Sequence, residues 1–158
     1  MTTVRLNLNG LPIDVDADDG EPLLFVLRNK LKLKGARFGC GLEQCGACLV
    51  AVDGEPRHSC TLDVAELRGR VVTTVEALAQ DPVGVALIEA FGEEHAGQCG
   101  YCLSGILMRA WVLLKKAPRP DRGEIARALD GNLCRCGAHA EILDAVMRAA
   151  DDCAGSEL

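Results

Sequence analysis

Aromatic residues are scarce in this sequence, with one Trp, one Tyr and three Phe among 158 residues. Any core it builds must therefore be aliphatic. Positive charge is also short: the formal net charge is -6, and the basic face that nucleic-acid binding calls for is missing. No apolar run approaches the ~20 residues that span a bilayer. The opening MTTVRLNLNG has no basic region leading into an apolar stretch and no twin-arginine pair. The expectation is a cytoplasmic chain without direct membrane insertion, any membrane association or export coming only through a partner. Neither G-x-G-x-x-G nor G-x-x-x-x-G-K-[ST] occurs, so flavin, nicotinamide and nucleotide binding are not expected on this chain.

Cysteine, by contrast, is abundant, with nine in the chain. In a reducing compartment clustered cysteines bind metal or do redox chemistry more often than they form structural disulfides. Eight of them fall into two groups, Cys40, Cys45, Cys48 and Cys60, then Cys99, Cys102, Cys134 and Cys136. Cys153 stands apart and reads as a bystander thiol. Apolar residues make up 49% of the chain, enough for a real core.

The secondary-structure signals divide where the cysteines divide. VRLNLNGLPIDVD alternates apolar residues on either side of Asn9-Gly10, a hairpin signal. EPLLFVLRNKL, residues 21–31, has Pro22 near its start and leucines at helical spacing, so it reads as a short helix. CLVAVDGEP reads as a strand turning at Asp53-Gly54, and RVVTTV as a last short strand. Beyond it come four helical stretches: DPVGVALIEAFGEEH with Asp81 as its N-cap, SGILMRAWVLLKK, DRGEIARAL and AEILDAVMRAA. A small mixed sheet over residues 1–76 and a helical unit over 77–158 are expected, with the boundary near 74–82.

C-x4-C-x2-C with a distant fourth cysteine is the plant-type ferredoxin spacing for a [2Fe–2S] cluster. Gly39, Gly41 and Gly46 let such a loop wrap and aim its N–H groups at sulfur. Zinc usually uses C-x2-C knuckles, which fits the first group less well. The second group, C-x2-C and then C-x-C, is ambiguous by itself among zinc, a redox dithiol and iron. Gly97, Gly100, Gly131 and Gly137 flank it, and both pairs fall at expected helix ends, where the helix dipole favours thiolate.

GCGLEQCGAC, the SC at Cys60, GQCGYCLSG and GNLCRCG, in that order, resemble the small iron–sulfur subunit of the xanthine oxidase (molybdenum hydroxylase) family over residues 3–150. The resemblance implies an α+β fold, with an N-terminal plant-ferredoxin-like β-grasp domain followed by a C-terminal α-helical bundle domain. It implies one [2Fe–2S] cluster on Cys40, Cys45, Cys48 and Cys60, and a second on Cys99, Cys102, Cys134 and Cys136. It further implies a large partner subunit whose molybdopterin cofactor lies near Gln98 and Cys136, together with an acceptor subunit or domain carrying FAD or haem. In this reading the chain is the electron-transfer subunit of an oxidoreductase whose catalytic residues lie elsewhere. CGAHA with His139, where many members carry a tyrosine, looks more like the bacterial N-heterocycle hydroxylases than the xanthine or aldehyde oxidases, and the chain as a whole most resembles the small subunits of bacterial N-heterocycle, nicotinate, isoquinoline and aldehyde dehydrogenases.

Two other functions fit parts of the pattern, a zinc-binding adaptor and a free-standing ferredoxin-type carrier. The apolar ILMRAWVLL and the position of Gln98 argue for a fixed partner over a mobile carrier. His58 is expected to be exposed, since four cysteines already complete its site. Glu93, Glu94 and His95 are expected to form a solvated face, and Arg135 to balance cluster charge or pair across a subunit interface.

Overall fold

The computed structural model describes residues 1–155. Strands β1 (Thr2–Leu8) and β2 (Leu11–Ala17) form the expected hairpin. Asn9 and Gly10 sit at φ of 52° and 85°, the left-handed pair that a two-residue connection needs to match strand twist. Helix α1 starts at Leu23–Phe25 and widens into a π-helical turn over Val26–Lys30, closed by the Leu31 N–H donating to Val26 O at 3.0 Å. The helix expected over 21–31 is therefore present, but its second half is wider than an α-helix.

Strands β3 (Leu49–Val52) and β4 (Glu55–His58) form a second hairpin, turning at Asp53 and Gly54 with φ of 50° and 81°. Strand β5 (Val71–Thr73) runs parallel to β1 and antiparallel to β3. The sheet order is β2-β1-β5-β3-β4, and α1 packs on the sheet through Leu23, Leu24 and Leu27 against Val4, Leu6 and Val72. This is the expected ferredoxin-like part of an α+β fold.

Helices α2 (Pro82–Glu93), α3 (Leu103–Lys116), α4 (Arg122–Ala128) and α5 (His139–Gly155) follow. Asp81 caps α2 by accepting from the Val83 and Gly84 N–H groups at 3.0 and 3.1 Å. Asp121 and Glu124 cap α4 reciprocally. Leu87, Phe91, Ile106, Ile125, Ile142 and Val146 fill the core among these helices.

A third core joins the sheet to the helices: Leu49 and Ala51 of β3 meet Met108 and Val112 of α3, with Leu78 beside them. ILMRAWVLL was expected to face a partner, and here the structure corrects the expectation. Ile106, Ala110 and Leu114 face the helical core while Met108 and Val112 face the sheet. Two faces of this helix are buried, one against each half, and it is the strut between them. Among the described residues no helix is long and apolar enough to cross a membrane.

Candidate metal centres

The first cysteine group is assembled by a loop and a hairpin. Residues 31–48 bring Cys40 and Cys45 round in a loop that ends at Cys48, immediately before β3. The β3–β4 register pairs Leu49 with His58, which returns the chain beside Cys48 just as Cys60 arrives. The buried Ser59 locks this closure: its N–H and its hydroxyl both donate to Cys48 O, at 3.3 and 2.7 Å. The hairpin between the third and fourth cysteines thus closes the group.

Backbone N–H groups are aimed at the sulfurs as expected. Leu42 and Gln44 donate to Cys40 Sγ at 3.3 Å each, and Cys40 N–H donates to Cys45 Sγ at 3.4 Å. A Cβ on Gly39 would sit 2.6 Å from Cys45 Sγ, so this position admits no side chain. Burial pushes the Cys40 thiol up, but the amide donors and the Cys45 thiol outweigh it and bring its pKa down to about 7. Cys48 is pushed up to about 12, mainly by burial, although the Cys60 amide pulls the other way.

In the second group Cys99 lies in the loop before α3, Cys102 sits directly at its start, and Cys134 and Cys136 lie in the loop before α5. The helix start at Cys102 was expected to favour thiolate. Instead its pKa is pushed up to about 12, because burial and the Cys134 thiol beside it outweigh the helix end. Cys134 is also raised by burial, yet the amides of Ala138, Cys136 and Gly137 and the Cys102 thiol hold it below the ordinary value. Cys99 is lowered by the Tyr101 N–H, which reaches its sulfur at 3.5 Å.

None of the nine thiols is in a disulfide. In each group the thiols come in pairs that lie close enough to shift each other's pKa: Cys40 with Cys45 and Cys48 with Cys60, then Cys99 with Cys136 and Cys102 with Cys134. Among the described residues no three His, Cys, Asp or Glu side chains close on one point as a single ion requires. Four thiols in two pairs suit a centre of two irons, each taking two thiolates, so the donor set fits [2Fe–2S].

The two loops touch. Leu133 N–H donates to Cys45 O at 3.0 Å, and a Cβ on Gly46 would lie 2.4 Å from Asn132 Nδ2. A Cβ on Gly105 of α3 would lie 1.9 Å from Gly46 O. Arg37 donates to Gly100 O at 2.7 Å and stacks 5.2 Å from the Tyr101 ring centroid, while the Tyr101 hydroxyl donates to Phe38 O at 2.6 Å. Arg37, Asn132 and Gly105 were not picked out from the sequence; these are contacts between segments far apart in the chain, and no local pattern announces them. Phe38, Leu42, Tyr101 and Leu133 surround the loops as exposed apolar residues.

The remaining expectations divide. Gln98 is exposed beside Cys99, and Cys136 is half-buried. Glu93 and Glu94 are ion-paired with Arg148 at 2.5 and 2.9 Å, a solvated face as expected. His139 and Arg135 are exposed, whereas Cys153 is half-buried on α5. His58 departs from expectation: it is half-buried, and its Nε2 is buried without a hydrogen-bond partner. The cause is α3, which packs over β4 and covers an imidazole that the sequence left open.

Two family models cover most of the chain. A 2Fe-2S iron-sulfur cluster binding domain matches residues 6–79, and a [2Fe-2S] binding domain matches residues 74–147. The chain is 47% identical over 150 residues to a nicotinate dehydrogenase subunit of Pseudomonas putida, covering 95% of this chain and 96% of that one. It is 46% identical to the alpha subunit of isoquinoline 1-oxidoreductase of Brevundimonas diminuta, covering 96% and 99%. Quinoline 2-oxidoreductase from Pseudomonas putida 86 superimposes with a TM-score of 0.91 at 33% identity, over 99% of this chain and 98% of that one. Sequence motifs, paired thiols and full-length relatives agree, and the chain belongs to the small [2Fe–2S] subunits of the molybdenum hydroxylases, the xanthine oxidase family, as the iron–sulfur subunit of an oxidoreductase.

Proposed function

We infer that this chain relays single electrons from a molybdopterin-bearing large subunit to an acceptor subunit or domain that carries a flavin or a haem. Cys40, Cys45, Cys48 and Cys60 hold one cluster, and Cys99, Cys102, Cys134 and Cys136 hold the other. When bound, each cluster accepts and releases one electron at a time. The observation that carries the reading is the pairing of thiols within each group, joined by one hydrogen bond between groups. Cys45 O accepts from Leu133 N–H, and Leu133 is bonded covalently to Cys134. A ligand of the first cluster is thereby linked to a ligand of the second through backbone and a single hydrogen bond.

Gln98 and Cys136 lie on the side that meets the molybdopterin cofactor, and the exposed Phe38, Leu42, Tyr101 and Leu133 form the seat for protein partners. The chain divides at residues 76 and 77, with the third core holding the two domains at fixed distance. Its compartment is the cytoplasm, where clustered thiols stay reduced and available to metal. The relatives' printed names, for nicotinate, isoquinoline and quinoline enzymes, suggest a nitrogen-containing aromatic ring as the substrate of the whole complex. A zinc adaptor is disfavoured by the paired thiols, and a mobile carrier by the strut α3.

The test is electron paramagnetic resonance on the anaerobically purified chain, with iron and zinc counted on the same sample. About four irons per chain and two distinct spin-half signals on dithionite reduction are expected. Cys60→Ser should remove one signal and Cys134→Ser the other. Stoichiometric zinc with no signal would overturn the relay.

A further inference from the structure

Arg37 belongs to the first half of the chain. It precedes Cys40 by three residues, and its N–H donates to Ala47 O at 3.1 Å, next to Cys48. Its side chain, however, reaches into the second half. Arg37 Nη1 donates to Gly100 O at 2.7 Å, between Cys99 and Cys102, and the guanidinium lies 5.2 Å from the centroid of the Tyr101 ring. The Tyr101 hydroxyl closes the clasp by donating to Phe38 O at 2.6 Å. None of the eight ion pairs between described residues includes Arg37, so no carboxylate draws its charge to this place.

The carbonyl that Arg37 holds shares one peptide unit with the Tyr101 N–H. A trans peptide is a rigid plane whose C=O and N–H point in opposite directions, and no peptide among the described residues is cis. Gly100 turns this plane with a left-handed φ of 76°. The N–H end of the plane reaches Cys99 Sγ at 3.5 Å. Fixing the carbonyl therefore fixes the aim of the N–H at the sulfur. A charged donor on the carbonyl also polarises the amide and makes it a stronger donor. Leu103 N–H meets the same carbonyl, but at 3.4 Å; the guanidinium makes the shorter bond.

We propose that Arg37 is a positioning residue for the second centre: it locks the Gly100–Tyr101 peptide so that the Tyr101 N–H donates to Cys99 Sγ, and it thereby favours the reduced state of a cluster whose ligands all lie in the other half of the chain. The proposal rests on the cluster assignment above. Donors at a ligand sulfur stabilise the charge that reduction adds. One net hydrogen bond changes an equilibrium by about three- to tenfold, and tenfold is about 59 mV for one electron.

The experiment is a redox titration of both paramagnetic signals in the full chain, the signals being assigned through Cys60→Ser and Cys134→Ser. Electron–nuclear double resonance on the second signal, in water and in deuterium oxide, reads the exchangeable amide proton beside that centre. Arg37→Met keeps an apolar stem of similar length and removes the donors and the charge. Tyr101→Phe removes one hydroxyl and changes no charge. Arg37→Met should move the second midpoint about three- to tenfold toward the oxidised state, further than the first, and weaken the coupling of the exchangeable proton. Tyr101→Phe should move the second midpoint the same way by less, with the first unmoved. If Arg37→Met does not retain both clusters, Tyr101→Phe decides. An unmoved second midpoint with the proton coupling intact would overturn the role of Arg37 and leave the clusters standing. Equal movement of both midpoints in Arg37→Met, with Tyr101→Phe silent, would also overturn it, because charge alone would be acting. Absence of both signals from the unaltered chain would remove the cluster assignment itself and the proposal with it.

Discussion

Gly105→Ala tests how closely the two cluster loops are held. The new Cβ would lie 1.9 Å from Gly46 O, 2.9 Å from Gly46 C and 3.1 Å from the Ala47 Cα. These are backbone atoms, so no side-chain rotation relieves the clash. Restoring even a 3.0 Å contact requires α3 and the first cluster loop to separate by 3.0 − 1.9 = 1.1 Å. The neighbouring Leu133 N–H to Cys45 O bond, 3.0 Å long, would then exceed hydrogen-bonding range. Overpacking of this kind costs about 1–3 kcal/mol, and a lost net hydrogen bond about 1 kcal/mol more. A total of about 2–4 kcal/mol corresponds to an apparent melting point lower by roughly 5–15 °C for a chain of this size. Gly92→Ala is the control. Gly92 lies inside α2, has no left-handed φ, and finds nothing within 4 Å of a new Cβ, so alanine there should stabilise by about 0.5–1 kcal/mol. Both variants are melted with clusters loaded at one scan rate, and hydrogen exchange of the Leu133 amide is followed in parallel. Gly105→Ala should melt lower and expose that amide while Gly92→Ala does neither. A Gly105→Ala chain that melts at or above the unaltered protein, with the amide still protected, would refute the close contact.

Two further outcomes follow from the electrostatics. In the metal-free chain, alkylation of Cys40 should rise through pH 7 and level off above pH 8, since its pKa is held at about 7. Cys48 and Cys102, pushed up to about 12, should still be accelerating at pH 10; mass spectrometry of the labelled peptides reads all three, and equal rates at pH 7 would sink the assignment. Asp81 caps α2, accepts from Trp111 Nε1 at 2.9 Å and pairs with Lys115 at 2.8 Å. Burial raises its pKa, but Lys115, Trp111 and the Gly84 N–H outweigh it, so the carboxylate sits below its ordinary value. A depressed carboxylate stabilises the fold above its unfolded pKa, and that contribution is lost as pH falls below about 4. Asp81→Ala should therefore cost about 2 kcal/mol at pH 7 and progressively less as pH falls below about 4 toward the depressed pKa of the folded carboxylate, with the emission of the single Trp111 reporting the change. A cost that does not vary with pH would contradict the role of the charge.

Much of this molecule is determined by sequence alone. Asn9-Gly10 and Asp53-Gly54 specify hairpins because both turn positions need left-handed backbone, and the structure holds all four residues there. Asp81-Pro82 specifies a helix start because the missing proline N–H and the capping carboxylate both suit a first turn. The spacing of Cys40, Cys45, Cys48 and Cys60 points to a [2Fe–2S] centre, whereas that of Cys99, Cys102, Cys134 and Cys136 is ambiguous by itself and is read through the family resemblance. Other features follow only from how the elements meet. The direction in which ILMRAWVLL points and the covering of His58 both depend on α3 lying against β3 and β4. Periodicity states that a face is apolar, not what covers it. The raised pKa of Cys102 at a helix start has the same origin, because burial is a property of the assembled protein and the helix end is a property of the segment. Sequence determined the turns, helix starts and cysteine spacing of each half, and tertiary packing decided how closely the two halves are joined.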